Sequence, residues 1–284
     1  MKYSHIKLLS PGSLDEALAF LHDHGAEARI ISGGTDLSVY LKDDLVKESV
    51  IVDISKVKEL RYIQEADGMV KLGARTTFSD CLGSHAVWRK ATFLNEAARE
   101  VGSTQIRNLA TVAGNVCNAS PAADSLPPLY ALEASVTLRS SLGEREVRLD
   151  EFILGPRKTR RNADELVTEV KFPAVDGHGN RFRKLGLRAS QAISVVSVAA
   201  LSAVDGWRIA MGAVGPTVVR AADAEEYLDR NGLTQASLKA ASELVARAAK
   251  PITDVRGTAE YRKRAIEALA YQCLYDILYG QEGT

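Results

Sequence analysis

Two runs of small residues hold the groups best suited to chemistry in this chain. The first, ISGGTDL (31–37), joins two glycines to Thr35 at the end of an apolar run. Consecutive glycines reach backbone dihedrals closed to other residues, so several N–H groups can turn toward one point and hold an anion without Lys or Arg. A helix starting just after would add its N-terminal partial charge. The run fits neither GxGxxG nor GxxxxGK[ST], so alone it reads equally as an anion loop or as a tight strand-to-helix turn. The second, TVAGN (111–115), lies in ATVAGNVCNASPAAD (110–124), which carries no charge and no aromatic ring until Asp124. Alone it reads as a surface loop or a close-packed turn. As a pair, two strand-flanking loops rich in N–H donors suit the two phosphates of a dinucleotide, gripped from opposite sides.

Other candidates are weaker. His22 and His24 are two apart on an expected helix and face different ways, which does not suit a metal. Arg157, Lys158, Arg160 and Arg161 read as a solvated basic loop, Cys117 as a small packing residue, and the serines near Ser120 lack a histidine base. Cys81, Cys117 and Cys273 are far apart with no CxxC, which argues against disulfides, zinc and any iron–sulfur cluster held by this chain.

The elements that must position the two runs follow from pattern. Ser13 caps a helix reaching about His24, with Leu14, Leu18 and Leu21 on one face and Gly25 as its stop. ARIIS (28–32) is a short buried strand, a helix follows at about 36–43, and VIVDIS (50–55) is the next strand. Further on come a strand at 69–77, a helix over Thr92–Val101, strands in LYALEASVTLRS and REVRLDEF around Leu142-Gly143, a strand at 165–173 and a loop at 175–180. Then the pattern changes to three strands, FRKLGLR, AISVVSVAAL and WRIAMGAV, with Asp205-Gly206 as a hairpin turn, and three helices near 221–229, 234–249 and 258–279. The 284 residues are more than one domain usually holds, so two or three compact units are expected.

Lys plus Arg equals Asp plus Glu at 36 each, so no net field favours nucleic acid or an anionic membrane. The most apolar run, 192–201, is half the length of a bilayer span. The N-terminus turns polar before an apolar core of signal-peptide length develops, and the expected location is the cytoplasm. A twin-arginine signal on a partner would carry the chain out as a passenger.

The chain resembles the FAD-binding medium subunit of the molybdenum hydroxylases, the xanthine dehydrogenase and carbon monoxide dehydrogenase group. The resemblance rests on AxxxSGGTDL (28–37), LGARTTFSD (72–80), STQIRNLATVAGNVCNASPAADSLPPLYALEA (103–134), GPRKT (155–159), FRKLGLR (182–188), GAVGPTVVRA (212–221) and DVRGTAEYR (254–262), in family order over nearly the whole chain. It implies an α+β protein with a vanillyl-alcohol-oxidase-type (PCMH-type) FAD-binding fold. Two α/β subdomains, at about 1–55 and 56–175, would form an FAD-binding domain over 1–175. A C-terminal three-stranded antiparallel sheet with helices would occupy 176–284.

By the same resemblance, Ile30, Ile31, Ser32, Gly33, Gly34, Thr35, Asp36 and Leu37 wrap the FAD diphosphate from one side. Thr111, Val112, Ala113, Gly114 and Asn115 wrap it from the other. Asp124 falls near the hydroxyl-bearing part of the ligand, and Val101, Val167 and Lys184 line the flavin region, where Lys184 would stabilise an anionic reduced ring. No residue is implied as catalytic and none as a metal ligand. Many relatives have an Asp-Ile-Ala run after the lysine-bearing strand. Here Gln191-Ala192-Ile193-Ser194 stands there instead, which bears on the environment of the flavin face.

The function implied is electron transfer. A small [2Fe-2S] subunit would deliver electrons from a large molybdenum-cofactor subunit to noncovalent FAD on this chain, which passes them to an acceptor such as NAD or oxygen. Molybdopterin and [2Fe-2S] clusters belong to the partners only. Two other readings compete: a self-sufficient FAD-dependent oxidase of the same fold, and an assembly subunit that has lost FAD. The C-terminal residues look too few for the first one's cap domain, and the intact SGGTD and TVAGN runs oppose the second. Relatives that reduce hydroxybenzoyl-CoA carry a cysteine-bearing insertion that this chain lacks.

Overall fold

A computed structural model describes residues 6–175 and 179–280; part of the loop expected at 175–180 lies outside the described residues. The N-terminal sheet is parallel. Strands β1 (Lys7–Leu9), β2 (Ala28–Ile31) and β3 (Val50–Asp53) run in the order β1-β3-β2, connected by helices α1 (Leu14–His24) and α2 (Leu37–Lys42). Helix α1 starts where Ser13 accepts a hydrogen bond from the Glu16 N–H and stops at Gly25, whose φ of 49° suits a residue without a side chain. Its buried face is Leu14, Ala17, Leu18 and Leu21.

Residues 63–173 form the second sheet and the helices that pack on it. Strands β4 (Ile63–Ala66) and β5 (Met69–Gly73) come first. Six helices follow: α3 (Phe78–Gly83), α4 (His85–Lys90), α5 (Thr92–Glu100), α6 (Thr104–Leu109), α7 (Val112–Asn118) and α8 (Leu126–Ala131). Then come β6 (Ser135–Ser140), β7 (Gly143–Arg148), the short helix α9 (Leu149–Phe152), a hairpin of β8 (Ile153–Gly155) and β9 (Lys158–Thr159), and β10 (Leu166–Pro173). The sheet is antiparallel in the order β4-β5-β10-β6-β7. Central β10 pairs Val170 with Leu72 on one side and Val136 on the other, and all three are fully buried.

The third sheet is antiparallel: β11 (Asn180–Gly186), β12 (Ser194–Ala203), β13 (Gly206–Gly212) and a two-residue β14 (Val219–Arg220). The first three are the expected strands, and β14 extends them. Helices α10 (Ala222–Asn231), α11 (Gln235–Ala248) and α12 (Ala259–Tyr279) follow. Helix α12 packs on β11 and β12, while α5 and α8 from the preceding unit also pack against this sheet. Strand β12 therefore buries two faces. Val196, Val198 and Ala200 join the core under the C-terminal helices, and Ala199 and Leu201 join the core of the preceding unit. That is why 195–201 is apolar on both faces of the strand, Ser197 apart, rather than alternating with polar residues.

Three expectations are corrected. LYALEASVTLRS is a strand only from Ser135, because its Leu-Tyr-Ala portion ends α8, a helix with prolines in its first turn. REVRLDEF leaves the strand at Arg148 and closes as helix α9. TVAGN is not a loop: Thr111 is the N-cap of α7, its hydroxyl accepting from the Gly114 N–H at 3.1 Å, and Val112–Asn115 form the first turn. Small residues carry no apolar period, so the capping hydroxyl and the packing of Val112, Ala113 and Val116 set this helix.

Candidate functional site

The two small-residue runs lie against each other, backbone to backbone. A Cβ built on Gly33 would stand 1.8 Å from the Leu109 carbonyl oxygen and 3.1 Å from the Ala110 Cα. Only glycine permits that approach. Gly34 follows with φ of 69°, a left-handed turn that aims the chain into α2. On the other side, the Phe78 N–H donates to the Ala110 carbonyl and the Val112 N–H to the Thr76 carbonyl, pinning the start of α7 to the segment after β5.

Both runs open on a cleft. Its first compartment, about 510 Å³, is lined by every residue from Ile30 to Leu37 and by Thr111, Ala113, Gly114, Asn115, Val101 and Val167. Among the described residues, no acceptor reaches the backbone N–H groups of Gly33, Gly34, Thr35 or Ala113. Four donors, two glycines without side chains and a concave wall fit an anionic ligand held by main chain. Val167 reaches the wall from β10 beside a bulge between Val167 and Glu169, an irregularity that re-aims side chains.

A second compartment, about 740 Å³, adjoins the first and shares Asp36, Tyr40, Val101, Asn115, Asn118 and Arg157 with it. Asp124 lines it from the chain between α7 and α8, and Gln191, Ala192 and Ile193 line it from the loop before β12.

The remaining expected residues sit differently. Val112 is buried in the core beneath α7 and lines neither compartment. Lys184 is not a solvated strand lysine. Its side chain is 4% exposed, its ammonium donates to Asp124 Oδ2 at 2.6 Å and to the Glu100 carbonyl at 3.1 Å, and it lines neither compartment. Burial pushes the Asp124 carboxyl above its ordinary range, opposed by Lys184 and by the Ser194 hydroxyl. The structure thus gathers Lys184, Asp124 and the residue before Val101 into one cluster.

Sequence reading missed several lining groups. Tyr40 donates to Asn118 Oδ1 at 2.9 Å, and the Asn118 amide donates to Asp36 Oδ1 at 3.0 Å, a chain running from α2 to α7. The basic run 157–161, expected as a solvated loop, divides: Arg157 and Arg161 line the first compartment. Arg157 has φ of 58°, donates its N–H to the Ala119 carbonyl and holds its guanidinium 4.9 Å from the Tyr40 ring centre. A Gly-Pro-Arg hairpin turn between two short strands was the available signal. Ser125 donates to Asn115 Oδ1 at 2.6 Å, which leaves the amide NH2 of Asn115 for a ligand. Cys117 lines the first compartment, and burial pushes its thiol up to about 11.

A cleft walled by the β2–α2 turn and the start of α7, with free main-chain donors, suits an anionic ligand, and comparison with known proteins gives the class. Residues 4–175 match the family described as the FAD binding domain in molybdopterin dehydrogenase, and residues 181–277 the CO dehydrogenase flavoprotein C-terminal domain. The chain belongs to this family of oxidoreductase FAD-binding subunits. It is 33% identical to the nicotinate dehydrogenase FAD-subunit of Eubacterium barkeri over 98% of this chain and 97% of that one. It is 31% identical to the glyceraldehyde dehydrogenase medium chain of Sulfolobus acidocaldarius, covering 93% and 95%. Among solved structures, quinoline 2-oxidoreductase from Pseudomonas putida 86 matches with a TM-score of 0.92 and 26% identity over 99% of both chains. Carbon monoxide dehydrogenase from Hydrogenophaga pseudoflava matches with a TM-score of 0.91 and 28% identity, covering 96% and 97%.

Proposed function

We propose that this chain is the FAD-binding electron-transfer subunit of a heterotrimeric, cytoplasmic molybdenum hydroxylase. FAD would be noncovalent, on a domain spanning about 1–175, with residues 176–284 closing the second compartment. The observation that carries the reading is the set of unpaired N–H groups at Gly33, Gly34, Thr35 and Ala113 on one cleft wall. The main chain at 33–35 and at Ala113 would hold the diphosphate, the Val112 and Gly114 N–H groups being taken up by the Thr76 carbonyl and the Thr111 hydroxyl, with Arg157 and Arg161 adding positive charge. The second compartment, bordered by Val101 and Asp124, would receive the ring system.

When bound, the flavin supplies two-electron and one-electron redox chemistry. The protein would orient it and hold the Lys184–Asp124 pair beside the second compartment, which Asp124 lines. Electrons would arrive from a small [2Fe-2S] subunit paired with a large molybdenum-cofactor subunit, and leave to NAD, oxygen or another acceptor. Both curated relatives above are named as a subunit or chain of a dehydrogenase, which supports this reading over a self-sufficient oxidase.

The purified chain is expected to show a flavin absorbance spectrum and to release one FAD per chain into the supernatant on acid precipitation. A folded chain without flavin would overturn the reading, and flavin left in the pellet would overturn its noncovalent part. Iron and molybdenum copurifying with the chain from its native cell would support the assembly.

A further inference from the structure

Two donors from adjacent strands meet at one buried carboxylate, Asp124. Ser194, the first residue of β12 and fully buried, donates to Asp124 Oδ1 at 2.5 Å. Lys184 on β11 donates to Oδ2 at 2.6 Å, and its ammonium also holds the Glu100 carbonyl. Each carboxylate oxygen therefore has its own donor, both supplied by the C-terminal sheet. The pairing of β11 with β12 shifts register between Leu185 and Gly186, which sets Ser194 opposite Gly186 while Lys184 pairs with Ser197. The shift lets two residues of adjacent strands reach the same group.

We propose that Ser194 is a positioning residue for the flavin: it fixes the Asp124 carboxylate, and thereby how fully the Lys184 ammonium is neutralised beside the cleft. The inference rests on the reading that this cleft holds FAD. The charged and polar groups acting on Asp124 are Lys184 and Ser194, which favour its ionised form, and Glu100, which opposes it. Without the Ser194 hydrogen bond the carboxylate is less stabilised, and protonation moves to higher pH. A protonated Asp124 leaves the Lys184 charge less compensated. Its field then favours the more negative, reduced state of a nearby ring.

The test is an anaerobic redox titration of the FAD-loaded protein, followed by visible absorbance across a pH series. Ser194→Ala is expected to keep its FAD, to raise the midpoint potential and to displace its pH dependence upward. Ser194→Thr, which keeps the hydroxyl, should restore the original profile. On an Asp124→Asn background, Ser194→Ala should add no further change, because the shared target is gone. A Ser194→Ala protein with unchanged potential and pH profile, even if less heat-stable, would reduce Ser194 to a structural role and overturn the proposal. FAD lost from Ser194→Ala but kept by the original protein would also overturn it. An original protein that binds no FAD would instead sink the cofactor reading, and this inference with it.

Discussion

Gly33 and Gly34 are neighbours in sequence but do different work. At Gly33 the obstacle to any side chain is the protein's own backbone, the Leu109 carbonyl oxygen at 1.8 Å. At Gly34 it is the left-handed φ of 69° and the end of a flexible side chain, Ile31 Cδ1 at 3.0 Å. Gly33→Ala should therefore force the two small-residue runs apart, costing roughly 1–3 kcal/mol of stability as an overpacking defect and removing FAD. Gly34→Ala should cost about 1 kcal/mol in backbone strain, since the Ile31 side chain can yield, and retain most of the flavin. The ratio of flavin to protein absorbance after desalting, with a thermal melt of each variant, checks both. A Gly33→Ala protein with its full flavin complement would show that the close packing of these runs is not what shapes the cleft. Gly114 differs from Gly33, because its Cβ would press on a side chain, the capping hydroxyl of Thr111 at 2.7 Å.

At the scale of elements, legibility in the sequence depended on whether local signals decided the structure. Helix α1 was readable because cap, apolar face and glycine stop all lie within its own residues. The C-terminal strands and helices were readable for the same reason. Helices α6 and α7 were not: each is one to two turns long, too short for an apolar period to show, and α6 buries none of its residues. Of the site, the glycine-rich runs were legible as backbone donors, whereas Arg157 and Arg161 were not, since loop geometry alone turns them inward. The position of Arg161 depends on Glu165, which is buried and accepts from Arg145 at 2.6 and 2.8 Å and from the Asn162 N–H at 2.7 Å. The Glu165 carbonyl in turn accepts from Arg161 at 2.7 Å, holding that side chain in place. Arg145 chiefly holds the Glu165 carboxyl below its ordinary range. A lowered folded-state pKa contributes stability that is present above the unfolded value, about 4.3 for Glu, and is lost as pH falls through the folded value. Glu165→Gln should therefore lower the melting temperature at neutral pH, by an amount equivalent to about 1–2 kcal/mol at most, since water reaches Arg145. The gap between variant and original protein should close as pH is lowered below the Glu range. Melts at neutral and acid pH decide the matter, and a gap that persists unchanged in acid would rule out the ionic explanation.

At the scale of the whole molecule, what the chain contains sets where electrons can enter. An iron–sulfur cluster of the common types takes four thiolates, and the chain has three cysteines in all. These lie on three different elements: Cys81 on α3, Cys117 on α7 against the cleft and Cys273 on α12, where its thiol faces the Val198 carbonyl. Burial pushes the Cys81 thiol up to about 12, away from the thiolate form a metal requires. The cleft itself is different, because it is built from groups within this chain: the β2–α2 turn and the first turn of α7 in the first compartment, and the loop before β12 in the second. Cofactor binding should need no partner, and substrate oxidation should need both. In anaerobic stopped-flow absorbance, the isolated FAD-loaded chain should show no flavin bleaching with purines, aldehydes or N-heterocycles. Chemically reduced flavin on the same chain should still be reoxidised by the physiological acceptor. Adding the cluster-bearing and molybdenum subunits should restore bleaching by the substrate of the complex. Bleaching of the isolated chain by any of these compounds at catalytic rates, with iron and molybdenum undetectable, would instead place substrate chemistry on this chain and favour a self-sufficient oxidase.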